Sequence, residues 1–193
     1  GARGMLPMFQ TLEIIIPIAP YEYLDDRVIQ SIDIPHVLMV QVSESRDENP
    51  SWIDRIINAR NALRVKTTSE FVLCMDSDVV IVPGILAQGL DEMQKSPSLG
   101  MLGIPTYMGA PYDLLGHVKI KCAWVRGELL RSIPFRYTQM HCECICFARD
   151  LRYRGYQTRY MNTNLYCVVI QNEKNTTTSR SPSDTIGSDT TGK

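Results

Sequence analysis

Asp76 and Asp78 stand two residues apart between the apolar runs Phe71-Val-Leu-Cys-Met75 and Val79-Val-Ile-Val82. Unbroken apolar runs rich in β-branched residues read as buried strand. One unpaired buried carboxylate costs several kcal/mol, so two close together demand a compensating partner. A divalent cation is the simplest such partner, and hard oxygen ligands suit Mg²⁺ or Mn²⁺. The pair therefore points to a metal site that holds a phosphorylated ligand. An Asp-x-Asp triplet is common by chance, and its position along the chain is what gives it meaning.

A second charged residue sits where an apolar one belongs. A helix is expected from about Ser51, an N-cap with Asp54 at the fourth position of a capping box. At 100° per residue Trp52, Ile53, Ile56, Ile57, Ala59 and Leu63 form one stripe, and Arg60 falls inside it with Asn61 at its margin. An inward guanidinium wants an anion or a carboxylate. Snorkelling to the surface or pairing with a structural Asp is the plainer alternative.

The elements that must position these groups alternate. Strands are expected at Leu12 to Ile18, halted at Pro17-Ile-Ala-Pro20, at Val37 to Val42 and at Glu70 to Met75. Tyr23 to Ile32 has helical spacing, and another helix should start near Pro83. Leu99 to Ile104 and Val118 to Val125 read as further strands, Gly127 to Ser132 and Thr138 to Arg154 as helices, and Gln157 to Ile170 as mostly extended. Such alternation implies right-handed βαβ units and a largely parallel sheet, with ligands bound beyond the carboxyl ends of its strands. Asp76 and Asp78 follow their strand at that end.

Bulk properties narrow the classes. At 193 residues with 44% hydrophobic and 21% charged content, the chain suits one globular domain. A net charge of −1 carries no footprint for nucleic acid or an anionic membrane. Six cysteines lie mostly in apolar runs, three of them at i, i+2 spacing, which favours a reduced, cytoplasmic protein. No run approaches the roughly 18 apolar residues of a transmembrane helix. Residues 5–171 are read as one domain and the Ser/Thr/Asn/Gly-rich residues 172–193 as a flexible tail.

Five segments, in order, resemble a family 2 type glycosyltransferase with the GT-A fold. They are Leu12-Glu-Ile-Ile-Ile-Pro-Ile-Ala-Pro20, Ala59-Arg60-Asn61-Ala62, Glu70 to Asp78, Trp124 to Ile133, and His141 to Tyr156. The resemblance implies a Rossmann-like three-layer α/β sandwich with a mainly parallel central sheet. It implies transfer of a sugar from a nucleoside-diphosphate sugar, a UDP-sugar by default, to an acceptor hydroxyl, with Mn²⁺ or Mg²⁺ at Asp76 and Asp78. Glu143, counted back from Gly155, matches the catalytic base of a nonprocessive, inverting enzyme, and the first turn of a helix suits its negative charge. Pro17, Ala19, Glu44, Arg60, Asn61, Asp76, Ser77, Asp78 and Trp124 are the expected nucleotide-sugar contacts; Trp124 would stack on a sugar face, although a lone Trp near a strand end is more often core.

The chain also departs from that pattern. Ser43 and Glu44 replace the family's Asp-Asp at the second strand, Cys144 replaces the second acid of the catalytic pair, and no His follows Gly155. These departures leave a catalytically degenerate sugar-nucleotide-binding protein as the non-enzyme alternative. A nucleotidyltransferase is disfavoured because Pro17-Ile-Ala-Pro20 has no glycine-rich phosphate loop. A zinc or redox cluster of His141, Cys142, Cys144 and Cys146 is disfavoured because Cys-x-Cys-x-Cys sulfurs do not converge on a regular helix or strand.

Overall fold

The computed structural model describes residues 12–20, 22–43, 51–106 and 117–170. Glu44, residues 5–11 and the polar residues 172–193 lie outside them.

Three strands build the first half of the central sheet: β1 (Leu12–Ile18), β2 (His36–Val42) and β3 (Phe71–Met75). The helices between them are α1 (Asp26–Ser31) and α2 (Trp52–Arg64). The Ser51 hydroxyl caps α2 by accepting the Asp54 N–H, as the capping-box spacing implies. Next come β4 (Val79–Val80), α3 (Ile85–Lys95) and β5 (Leu99–Gly103). The last elements are β6 (Cys122–Arg126), α4 (Gly127–Ser132), α5 (Glu143–Tyr153), β7 (Gln157–Tyr160) and β8 (Val168–Val169).

Six strands form one sheet in the order β2-β1-β3-β6-β5-β7, and β4 pairs with β8 in a separate ribbon. The β1–β2, β1–β3 and β5–β7 pairs are parallel, whereas β6 runs antiparallel to both of its neighbours. Several elements differ from their sequence-based outlines. The strand expected at Val118 to Val125 begins only at Cys122, and α5 begins at Glu143 rather than near Thr138. β1 continues through Pro17 to Ile18, which is tolerable because β3 pairs only with Glu13 to Ile15 and makes no ladder at the proline.

Both faces of the sheet are covered, so β3 is apolar throughout. Phe71, Leu73 and Met75 face a core completed by Val28 of α1 and by Ile85, Leu86 and Met93 of α3. Val72 and Cys74 face the other core, with Ile57 and Leu63 of α2, Leu130 of α4 and Phe147 of α5. The result is a three-layer α/β sandwich. Helix α5 stops at Gly155, whose φ of 86° is accessible to glycine at little cost, and the Tyr156 N–H turns back to Leu151 O at 3.1 Å.

Candidate active site

Asp76 follows β3 directly, at the carboxyl edge of the parallel strands, and Asp78 precedes β4. Arg60 reaches them from α2 and is almost fully buried, at 4% exposure. Its Nη2 donates to Asp76 Oδ1 and its Nη1 to Glu143 Oε1, both at 2.7 Å. The inward arginine therefore binds two carboxylates, not a ligand anion directly. Burial works against the Arg60 charge, but Asp76 and Glu143 outweigh it and raise its pKa. Burial in turn raises the pKa of Asp76, opposed by Arg60 and then by Lys121.

Lys121 is the residue that sequence reasoning missed. Its Nζ lies 3.0 Å from Asp78 Oδ2 and 3.9 Å from Asp76 Oδ2. The antiparallel register that pairs Met75 with Cys122 brings it there, and the Asp76 N–H donates to Lys121 O at 2.9 Å. A signal was available: Val118, Ile120 and Cys122 are buried, so alternation turns Lys119 and Lys121 the other way. Which loop Lys121 would meet depended on a pairing that the chain does not spell out locally.

Three carboxylates (Asp76, Asp78 and Glu143) thus meet two cations, Arg60 and Lys121, leaving one negative charge uncompensated. Asp78 Oδ1 is buried and has no hydrogen-bond partner among the described residues. A buried orphan carboxylate oxygen in a net-negative cluster fits a divalent cation held by hard oxygen ligands.

The supports of Glu143 are built by α2 and α5 together. Asn61, next to Arg60, accepts the Phe135 N–H at 2.8 Å and donates to Phe135 O at 2.9 Å. It also accepts from Arg64 Nε at 2.9 Å. Asn61, expected as a nucleotide contact, is thereby engaged in clamping main chain. The clamped Phe135 ring stacks on Phe147 with centroids 4.6 Å apart, and the Arg60 guanidinium lies 6.0 Å from the Phe135 centroid. Phe147 is one turn along α5 from Glu143, so this aromatic pair anchors the helix that carries the acid.

Trp124 takes the core alternative of the two open to it. It is fully buried against α3, and its Nε1 donates to Leu86 O at 3.2 Å. A Cβ at Gly89 would come within 2.9 Å of the indole. This ring is core and has no face for a sugar. Trp52, placed on the apolar stripe, is instead 66% exposed at the open first turn of α2.

At the other strand ends, the Ser43 N–H donates to Ile18 O at 2.7 Å, and Ser43 Oγ is buried without a partner among the described residues. Pro17 lies at the end of β1. Glu22 Oε2 accepts from Ala19 N at 3.3 Å and from Ser77 Oγ at 3.4 Å, joining the loops after β1 and β3.

The cysteines are all free. His141 does not join a cluster with Cys142 and Cys144. Instead, His117 lies beside them, with its Nε2 3.4 Å from Cys142 Sγ. The neighbouring Cys144 holds the Cys142 thiol down to about 5 through a hydrogen bond, against burial and with help from the Ile145 N–H and His117.

No protein-family model and no curated protein matches this sequence. Among solved structures, it is similar to a mannosyltransferase from Pyrobaculum calidifontis in complex with GDP-Man and Mn²⁺. That match has a TM-score of 0.61 and 20% identity, covering 81% of this chain and 56% of the other. TarS residues 1–349 from S. aureus match with a TM-score of 0.61 and 16% identity, over 82% of this chain and 60% of that one. A Mycobacterium tuberculosis glucosyl-3-phosphoglycerate synthase with Mn²⁺ and UDP-Glc matches with a TM-score of 0.54 and 16% identity, over 78% and 69%. The chain spans little more than half the length of the first two. At these identities the likeness is one of fold, and that fold is the GT-A glycosyltransferase fold.

Proposed function

We propose that this chain is a metal-dependent glycosyltransferase of the family 2 type, nonprocessive and inverting. It would move a sugar from a nucleoside-diphosphate sugar, a UDP-sugar by default, to an acceptor hydroxyl. The observation that carries this reading is the three-carboxylate, two-cation cluster at the carboxyl edge of the sheet, with a buried orphan oxygen on Asp78. Support also comes from neighbours of the same fold solved with Mn²⁺ and GDP-Man or UDP-Glc.

In this reading Asp78, backed by Asp76, holds Mn²⁺ or Mg²⁺, which when bound offsets the charge developing on the leaving diphosphate. Arg60 keeps Asp76 and Glu143 in register with one planar fork, a geometry that lysine lacks. Glu143 takes the proton of the acceptor hydroxyl on Oε2, the oxygen that Arg60 leaves free, as that hydroxyl attacks the anomeric carbon. Lys121 is placed to turn from Asp78 to a phosphate oxygen of the donor. Pro17, Ala19, Ser77, the orphan Ser43 Oγ and Glu44 then border the nucleotide.

A thermal-shift screen of nucleoside diphosphates with and without Mn²⁺ tests the donor half. Metal-dependent stabilisation by one nucleotide is expected, and no response to any would overturn the reading. Glu143→Gln should keep that shift while turnover of the accepted donor falls by about 10²–10⁴-fold. The second reading, a degenerate sugar-nucleotide binder, is favoured by the prior engagement of Asp78 by Lys121 and of Glu143 by Arg60. It predicts the same shift with no turnover by the wild type.

A further inference from the structure

We propose that His117, Cys142 and Cys144 form a second metal site, for a borderline-soft divalent ion of the Zn²⁺ class, separate from the oxygen-lined Asp76–Asp78 pair. The ligand atoms His117 Nδ1 or Nε2, Cys142 Sγ and Cys144 Sγ all lie within 4.8 Å of one another. Tetrahedral zinc with ordinary bond lengths needs about 3.5 Å between a bound nitrogen and sulfur, and about 3.8 Å between two sulfurs. His117 Nε2 and Cys142 Sγ are already 3.4 Å apart. Small side-chain adjustments complete the set, with a water in the fourth position.

Two further features point to bound thiolates. The Ile120 N–H donates to Cys144 Sγ at 3.3 Å, and a main-chain N–H aimed at sulfur is the outer-shell contact that orients and stabilises a metal-bound thiolate. The convergence also has a local cause. Cys142 is the N-cap of α5 in extended conformation (φ −66°, ψ 167°), whereas Cys144 is already helical. The bend between them undoes the i, i+2 divergence expected for a regular element and turns both sulfurs towards the segment leading into β6. His117 meets them from that segment, 25 positions away from Cys142.

The ligand sets sort by softness, with sulfur and imidazole here and carboxylate oxygen at Asp76 and Asp78. Two thiolates neutralise a divalent ion, so the site would add no net charge beside Glu143, which lies between the two cysteines. It would pin the first turn of α5 to the segment before β6. Metal binding here is independent of the proposed transfer reaction, because it needs neither donor nor Mn²⁺.

The test is metal content and Co²⁺ substitution of the full chain, purified under reductant with zinc in the growth medium. One zinc per chain is expected. After its removal by a strong chelator, Co²⁺ should restore intense tetrahedral d–d bands and a sulfur-to-cobalt charge-transfer band. Cys142→Ser, Cys144→Ser and His117→Asn should each abolish these bands or greatly weaken them, whereas Cys146→Ser should leave them intact. Should a variant misfold, the wild type serves by itself: no thiolate charge-transfer band on Co²⁺ titration overturns the proposal. A band that survives Cys142→Ser unchanged overturns it too, as does a Cys142–Cys144 disulfide in the protein prepared under reductant. Mn²⁺-dependent nucleotide shifts are read separately, so failure of one site is not mistaken for failure of the other.

Discussion

Arg60 and Glu143 lie 83 positions apart in the chain and meet at 2.7 Å in the interior. The same guanidinium holds Asp76 at 2.7 Å, so one side chain links the acid after β3 to the acid that opens α5. Replacing Arg60 with methionine would leave two acids crowded in a buried site without their shared cation. Urea denaturation should show a loss of about 3–5 kcal/mol. Arg60→Lys should recover only part of this, since a single ammonium cannot serve both carboxylates with the same fork. Full recovery by lysine would mean that the bidentate geometry is unimportant.

Lys121 competes with any cation for Asp78. At a protein surface a unit charge about 4 Å away exerts on the order of 4 kcal/mol, although a flexible lysine can swing aside and return most of it. Lys121→Ala should therefore tighten Mn²⁺ binding, measured by calorimetry without nucleotide, by about tenfold. Weaker binding in the variant would show that Lys121 organises the aspartates rather than opposing the ion.

Asn61 distinguishes clamp from contact. Asn61→Ala strands both the N–H and the carbonyl of Phe135, and each such group costs about 1–3 kcal/mol when left unpaired. A lowered melting temperature with an unchanged nucleotide Kd is the expected result. A raised Kd at unchanged stability would restore Asn61 to the nucleotide site.

Glu13 supplies a pH dependence. Its carboxylate accepts the Thr68 and Ser69 N–H groups at 2.7 and 2.8 Å and the Thr68 hydroxyl at 3.0 Å, tying β1 to the turn that enters β3. Burial pushes the Glu13 pKa up, but these hydrogen bonds outweigh it and leave the group below its ordinary 4.5. With the folded value depressed, the stabilisation is fully present above the unfolded pKa and fades as pH falls through the folded one. Glu13→Gln should cost about 2 kcal/mol at neutral pH. That gap should shrink as the solution is acidified below about pH 4.5, followed by urea midpoints of both proteins. A gap that stays constant with pH would show that the charge contributes nothing.

Much of this was legible from local pattern. The apolar run before Asp76 declared β3, Ser51 with Asp54 declared the start of α2, and the inward angle of Arg60 declared a buried charge in need of a partner. Trp124 and Asn61 show what local pattern leaves open. A residue type suited to ligand contact does not reveal whether its faces are already taken, and here α3 covers Trp124 while Phe135 occupies Asn61. Glu13, in an otherwise apolar strand, gave no hint that two main-chain donors from a distant turn would meet it.

By itself, the sequence determined the alternation of elements and the placing of two acids at a strand's carboxyl end, because hydrophobic period and caps act within a few residues. The tertiary structure decided which charges neutralise which. Antiparallel β6 brings Lys121 to Asp78, and the packing of α2 against the sheet brings Arg60 to Glu143. Strand register and helix docking are set by the whole core, and a few ångströms there decide whether a carboxylate meets a cation or water.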